Sequence, residues 1–74
     1  MSWDYRVVRR EYGDEVILGI YEAYYDDNGT CWAITEIPMV PYGETWDELA
    51  GDLGAMVRAL GRRVLDYETR EELK

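Results

Sequence analysis

Two acids, Glu22 and Glu36, stand in otherwise apolar stretches, residues 16–25 and 30–37. Carboxylates brought together on one face would be a general acid and base, or ligands for a divalent metal. Whether they meet depends on the turn Asp26-Asp27-Asn28-Gly29 between the two stretches. A two-residue Asn28-Gly29 loop pairs Asp27 with Thr30 and sends the acids to opposite faces. A longer loop with a bulge at Gly29 pairs Asp26 with Thr30 and sets both acids on one face.

Other chemistries are thinly represented. There is no histidine, so neither a Ser-His-Asp nor a Cys-His arrangement can be built. The one cysteine, Cys31, excludes an internal disulfide and reads as a small buried hydrophobe beside Trp32. The turn Asp26-Asp27-Asn28-Gly29 begins like a calcium loop but lacks the alternating acids, and Ile37 stands where the bidentate glutamate belongs. No phosphate-cradling glycine motif is present. No metal, cofactor or catalytic residue is therefore assigned.

Tyr21, Tyr24, Tyr25 and Trp32 gather on the central hairpin and are the candidate partner-binding residues. Exposed aromatic strands stack single-stranded bases in some RNA modules. Such modules need a basic surround, whereas 8 Lys and Arg against 16 Asp and Glu give this chain a net charge of -8. Tyr and Trp are also the residues enriched at protein interfaces, which is the reading adopted.

The elements that must hold these residues follow from periodicity. Residues 3–12 alternate, with Trp3, Tyr5 and Val7 on one side and Asp4, Arg6, Val8 and Arg10 on the other, predicting a half-exposed strand. Gly13-Asp14 marks a turn. Residues 16–25 are apolar on both sides and predict a central strand, with Gly19 marking a bulge or close backbone approach. Residues 30–37 predict the third strand, ended by Pro38 and Pro41.

Thr45 and Glu48 form a capping box ahead of a helix from Trp46 to about Arg62, or to Gly61 if that glycine serves as its C-cap. Trp46, Leu49, Leu53, Met56 and Leu60 are predicted to face the sheet. Residues 64–67 suggest a short edge strand and 68–74 a loose terminus. The fold expected is α+β: one 74-residue domain, a three-stranded antiparallel sheet packed on one helix, with a possible short fourth strand.

Ile37-Pro38 and Gly43-Glu44-Thr45-Trp46-Asp47-Glu48-Leu49 resemble the strand exit and helix start of the HicB-like antitoxin N-terminal domain family. Glu22-Ala23-Tyr24-Tyr25-Asp26, Trp32, Pro41-Tyr42-Gly43-Glu44-Thr45 and Val64-Leu65-Asp66-Tyr67 resemble small stand-alone bacterial proteins of that type. The resemblance implies the β-β-β-α fold and a non-enzymatic, antitoxin-like module that covers a small basic protein. Family members carry a C-terminal DNA-binding segment; this chain stops at Lys74, and Met39 replaces the glycine that commonly follows the proline, so operator contact is not expected.

Further expectations concern context. No hydrophobic signal core or membrane-length apolar run is visible, so a cytoplasmic protein with no membrane or nucleic-acid partner is expected. One helix cannot cover both faces of the sheet, which predicts a homodimer that buries the uncovered face; the competing explanation is that residues 64–73 fold back over it. The alternative function is a small metal-dependent hydrolase or nuclease using Glu22 and Glu36.

Overall fold

A computed structural model describes residues 1–73. Strands β1 (Ser2–Tyr12) and β2 (Glu15–Tyr25) pair antiparallel along their whole length, from Ser2 opposite Tyr25 to Tyr12 opposite Glu15. Gly13 closes this hairpin at φ 60°, a left-handed conformation that costs glycine little. Strand β3 (Cys31–Ile34) pairs antiparallel with β2, and β4 (Leu65–Asp66) pairs parallel with β1. Among the described residues the sheet order is therefore β3-β2-β1-β4, with one helix, α1 (Trp46–Ala59). The expected α+β class holds, but the sheet is mixed and four-stranded rather than purely antiparallel and three-stranded.

The β2–β3 turn uses the longer register. Asp26 N–H donates to the Thr30 carbonyl at 2.9 Å, and the Asp26 carboxylate accepts from the amides of Asn28 and Thr30. Gly29 sits at φ 80°. That register alone would have put Glu22 and Glu36 on one face. A bulge then shifts it: Tyr25 lies opposite Cys31 but Tyr24 lies opposite Ala33, so Trp32 is the extra residue. Thr35 N–H donates to the Glu22 carbonyl at 3.0 Å, continuing the shifted register. In the shifted register Thr35, and not Glu36, continues the pairing opposite Glu22, and the Glu36 carbonyl accepts from Arg10 Nη1 at 2.5 Å.

The two faces of the sheet are covered differently. Arg6, Val8, Tyr21 and Ala23 share one face and are buried, with Leu65 closing the cluster and Tyr25, Cys31, Ile34 and Tyr67 packed around it. Leu65 and Asp66 extend the sheet beside β1, and the chain after them returns over that face. Arg6 Nη2 donates to the Arg63 carbonyl at 2.8 Å and to Glu72 at 2.9 Å. Tyr67 N–H donates to the Arg9 carbonyl at 3.0 Å, and the Arg10 guanidinium lies 3.7 Å from the Tyr67 ring centre. The fold-back alternative is thus what covers this face, and the terminus expected to be loose is tied down, with Leu73 N–H donating to the Val64 carbonyl at 2.8 Å. Gly19 is a close approach, as expected: a Cβ there would lie 3.1 Å from the Tyr21 ring and 3.4 Å from Pro38.

Helix α1 begins as its sequence predicts. Thr45 Oγ1 accepts from Glu48 N–H at 3.1 Å, while the Glu48 carboxylate reaches back to Glu44 N–H at 3.0 Å, one residue before the expected Thr45 amide. It ends at Ala59 with Leu60, not Gly61, as its cap. Its orientation departs from the expectation. Met56 and Ala59 are buried, but Trp46 is 82 % exposed, Leu53 48 % and Leu60 67 %, and Leu49 is exposed as well. Two tethers set this rotation: the Tyr5 hydroxyl donates to Asp52 at 2.5 Å, and Arg62 pairs with Asp4. With residues 63–73 supplying Leu65 and Tyr67 to the core, the helix meets β1 through its Asp52–Met56–Ala59 side. Its apolar stripe is left facing outward.

Candidate partner-binding site

On the face opposite Arg6, β1 and β2 carry Trp3, Tyr5, Glu22 and Tyr24, since Trp3 lies opposite Tyr24 and Tyr5 opposite Glu22. The aromatic rings form a ladder across three strands. Tyr5 and Trp3 meet edge to face at 5.2 Å, Trp3 and Tyr24 lie 6.5 Å apart, and Tyr24 and Trp32 lie 6.4 Å apart. The longer turn register, with Asp26 paired to Thr30 and Tyr25 to Cys31, brings Trp32 beside Tyr24 before the bulge shifts the pairing beyond it. Trp3 and Trp32 each keep about half their surface exposed (50 % and 49 %).

The connection between β3 and α1 closes one side of the ladder. Trp3, Tyr5, Glu22, Met39, Val40, Tyr42 and Asp52 line a cleft of about 510 Å³. Met39 is held there by its N–H donating to the Ile20 carbonyl at 2.8 Å, and Tyr42 by its N–H donating to Asp52 Oδ2 at 2.8 Å. Asp52 thus fixes both walls, accepting from the Tyr5 hydroxyl on the sheet and from the Tyr42 amide on the loop.

The cleft joins two carboxylates to phenols that stay protonated. Burial, the hydrogen bond to Asp52 and the charges of Asp52 and Glu22 push the Tyr5 hydroxyl up to about 12. The hydrogen bond to Glu22, with some desolvation, likewise raises Tyr24. Tyr5 and Tyr24 therefore remain donors to the two acids through the neutral range. Carboxylates beside open aromatic faces suit a guanidinium or ammonium group, which the acids attract and the rings stack against.

The residues singled out in the sequence are divided by this arrangement. Tyr24 and Trp32 belong to the exposed ladder. Tyr21 is in the core, with its ring 5.8 Å from Tyr67, and Tyr25 is half-buried, its hydroxyl donating to Asp4 at 2.8 Å and accepting from Arg6 at 3.0 Å. Period two in β2 requires this split, because Tyr21 and Tyr25 share one face and Tyr24 takes the other. Glu22 lies in the cleft and Glu36 does not, so the carboxylate dyad is not assembled. Cys31 is half-buried against the core. Among the described residues no three His, Cys, Asp or Glu side chains converge to hold a metal, and no helix is long and apolar enough to cross a membrane.

Trp3, Tyr5, Tyr42 and Asp52 were not anticipated as site residues. The alternation of β1 already put Trp3 and Tyr5 on one side. Asp52 carried no signal, because its partners lie 47 and 10 residues away in sequence. No family model, curated protein or solved structure matches the chain.

Proposed function

We propose that the protein is a non-enzymatic binding module that captures a basic segment of another protein in the cleft beside the Tyr5–Trp3–Tyr24–Trp32 ladder. The observation that carries this reading is the placement of Glu22 and Asp52 in one cleft with the exposed Trp3 and Tyr42. The net charge of -8 would add long-range attraction for such a partner. An antitoxin-like role, covering a small basic protein as the HicB-like resemblance implies, is the specific form we propose, with a cytoplasmic setting.

An arginine-rich peptide titrated against the protein's tryptophan fluorescence tests this. Glu22→Gln with Asp52→Asn should weaken binding about tenfold or more. Glu15→Gln with Glu68→Gln, which removes the same charge from exposed positions elsewhere, should change it little. Equal losses in the two variants would mean that net charge, and not the cleft, attracts the peptide.

A further inference from the structure

We infer that two copies of this chain associate through helix α1, packed antiparallel about a two-fold axis near the middle of the helix. Trp46, Ala50, Leu53, Val57 and Leu60 follow one another at steps of four, three, four and three residues, the spacing of a coiled-coil seam. All are exposed. The stripe runs the length of the 14-residue helix, about 21 Å at 1.5 Å per residue. Met56 and Ala59, the residues that hold the helix to the sheet, lie outside it.

The stripe contains both halves of a self-complementary joint. Trp46, Leu49, Ala50 and Leu53, at i, i+3, i+4 and i+7, enclose an apolar hollow of about 140 Å³. That diamond is the hole into which a side chain of a facing helix inserts in knobs-into-holes packing. Leu60, at the far end of the same stripe, protrudes with 67 % of its surface exposed. An antiparallel two-fold pair puts Leu60 of each copy into the hollow of the other, the large Leu60 opposite the small Ala50. Leu53 then lies opposite Val57 of the second copy. A two-fold operation satisfies both joints at once, as an isologous dimer requires.

Charge selects the same direction. Asp47 and Glu48 lie in the first turn and Arg58 in the last. Antiparallel packing sets the acidic end of each helix against the basic end of the other and opposes the two helix dipoles. Parallel packing would align like charges. The surface is separate from the Glu22–Asp52 cleft, and the inference stands or falls independently of the function proposed above.

Sedimentation equilibrium of the full chain, from low to several hundred micromolar, should show the mass rising from 8.7 kDa towards twice that value. Leu60→Glu, at a position exposed in the single chain, should keep the native circular dichroism and weaken association about tenfold or more. Direction is read by cysteines in a Cys31→Ala background. Ala50→Cys mixed with Leu60→Cys should form the disulfide-linked heterodimer under mild oxidation, while either alone cross-links poorly. A mass of 8.7 kDa at every concentration would overturn the inference. So would a Leu60→Glu chain that associates as well as the parent, or self-linking of each single-cysteine chain in preference to the mixed pair.

Discussion

Arg6 Nη2 donates to Glu72 Oε2 at 2.9 Å across 66 residues of sequence, joining the first strand to the last described turn. Arg6 is only 2 % exposed, and Nη1 donates to the Tyr25 hydroxyl while Nη2 also holds the Arg63 carbonyl. A buried guanidinium needs such partners to offset its lost hydration. Here they are drawn from β2 and from both ends of the segment that covers the sheet.

Removing that anchor should loosen the cover. Arg6→Ala loses three charge-assisted bonds and packing over the core, and is expected to cost about 2–4 kcal/mol in a urea melt. Glu72→Gln should cost less than about 1 kcal/mol, because Glu72 is half exposed and the amide oxygen still accepts. Amide exchange at Tyr67 and Leu73 should quicken in Arg6→Ala before exchange in β2 does.

The helix gives a contrast between two apolar residues three apart. Met56→Ala should destabilise the fold by about 2–5 kcal/mol, since Met56 is buried. Leu53→Ala should cost less than about 1 kcal/mol to the single chain, since half of Leu53 already faces water. Dilute solution is the right condition for the comparison, measured by denaturant midpoints at constant slope. Equal costs would mean that the helix is rotated from the position described.

That contrast shows how much was legible in the residues themselves. The 3–4 spacing of Trp46, Leu49, Leu53, Met56 and Leu60 correctly announced a helix with an apolar side. It did not say that this side, Met56 excepted, would face outward, because that is decided by the Tyr5–Asp52 and Asp4–Arg62 tethers and by Leu65 and Tyr67 filling the core instead. In the same way, Asp26-Asp27-Asn28-Gly29 announced the hairpin, and the longer loop was among its two readings. The bulge at Trp32, which reverses the faces beyond it, has no local marker, and with it the pairing of Glu22 and Glu36 was undecidable. The short β4 was anticipated at residues 64–67, yet its parallel pairing with β1 depends on where the helix delivers the chain.

Stability at high pH should report on the cleft. Tyr5 is raised to about 12 from the ordinary phenol value of 10.0, and Tyr24 and Tyr25 are raised as well. Below an ordinary tyrosine value near 10, folded and unfolded phenols are both neutral, and these groups add no pH dependence. Above it the unfolded phenol ionises while the folded one stays protonated, so stability falls as pH rises. For Tyr5 the fall ends near 12, where the folded phenol ionises too. Tyr5→Phe should flatten the fall between these limits, and tyrosinate absorbance of the folded protein should show a late-titrating phenol that the variant lacks.

Gly43 supplies a backbone test. A Cβ at that position would lie 2.3 Å from Leu49 N and 2.7 Å from Glu48 C, inside the first turn of α1. Neither contact is with a side chain that could swing away. Gly43→Ala should therefore displace the loop from the helix start, at a cost of about 1–3 kcal/mol. Because the same loop carries Tyr42 against Asp52, the variant should also weaken peptide binding in the cleft, whereas Gly51→Ala, with open space around it, should stabilise the helix slightly or leave it unchanged.

The central claim is that the aromatic–acidic cleft is the surface that takes a basic partner, and amide chemical-shift mapping during titration with an arginine-rich peptide tests it most directly. The account predicts saturable shifts concentrated at Trp3, Tyr5, Glu22, Tyr24, Tyr42 and Asp52 and at the indole N–H groups of Trp3 and Trp32. The exposed hairpin end around Asp14, Val16 and Leu18 should stay unshifted. Shifts spread evenly over the acidic surface, or centred on residues 68–72 with the cleft silent, would contradict it.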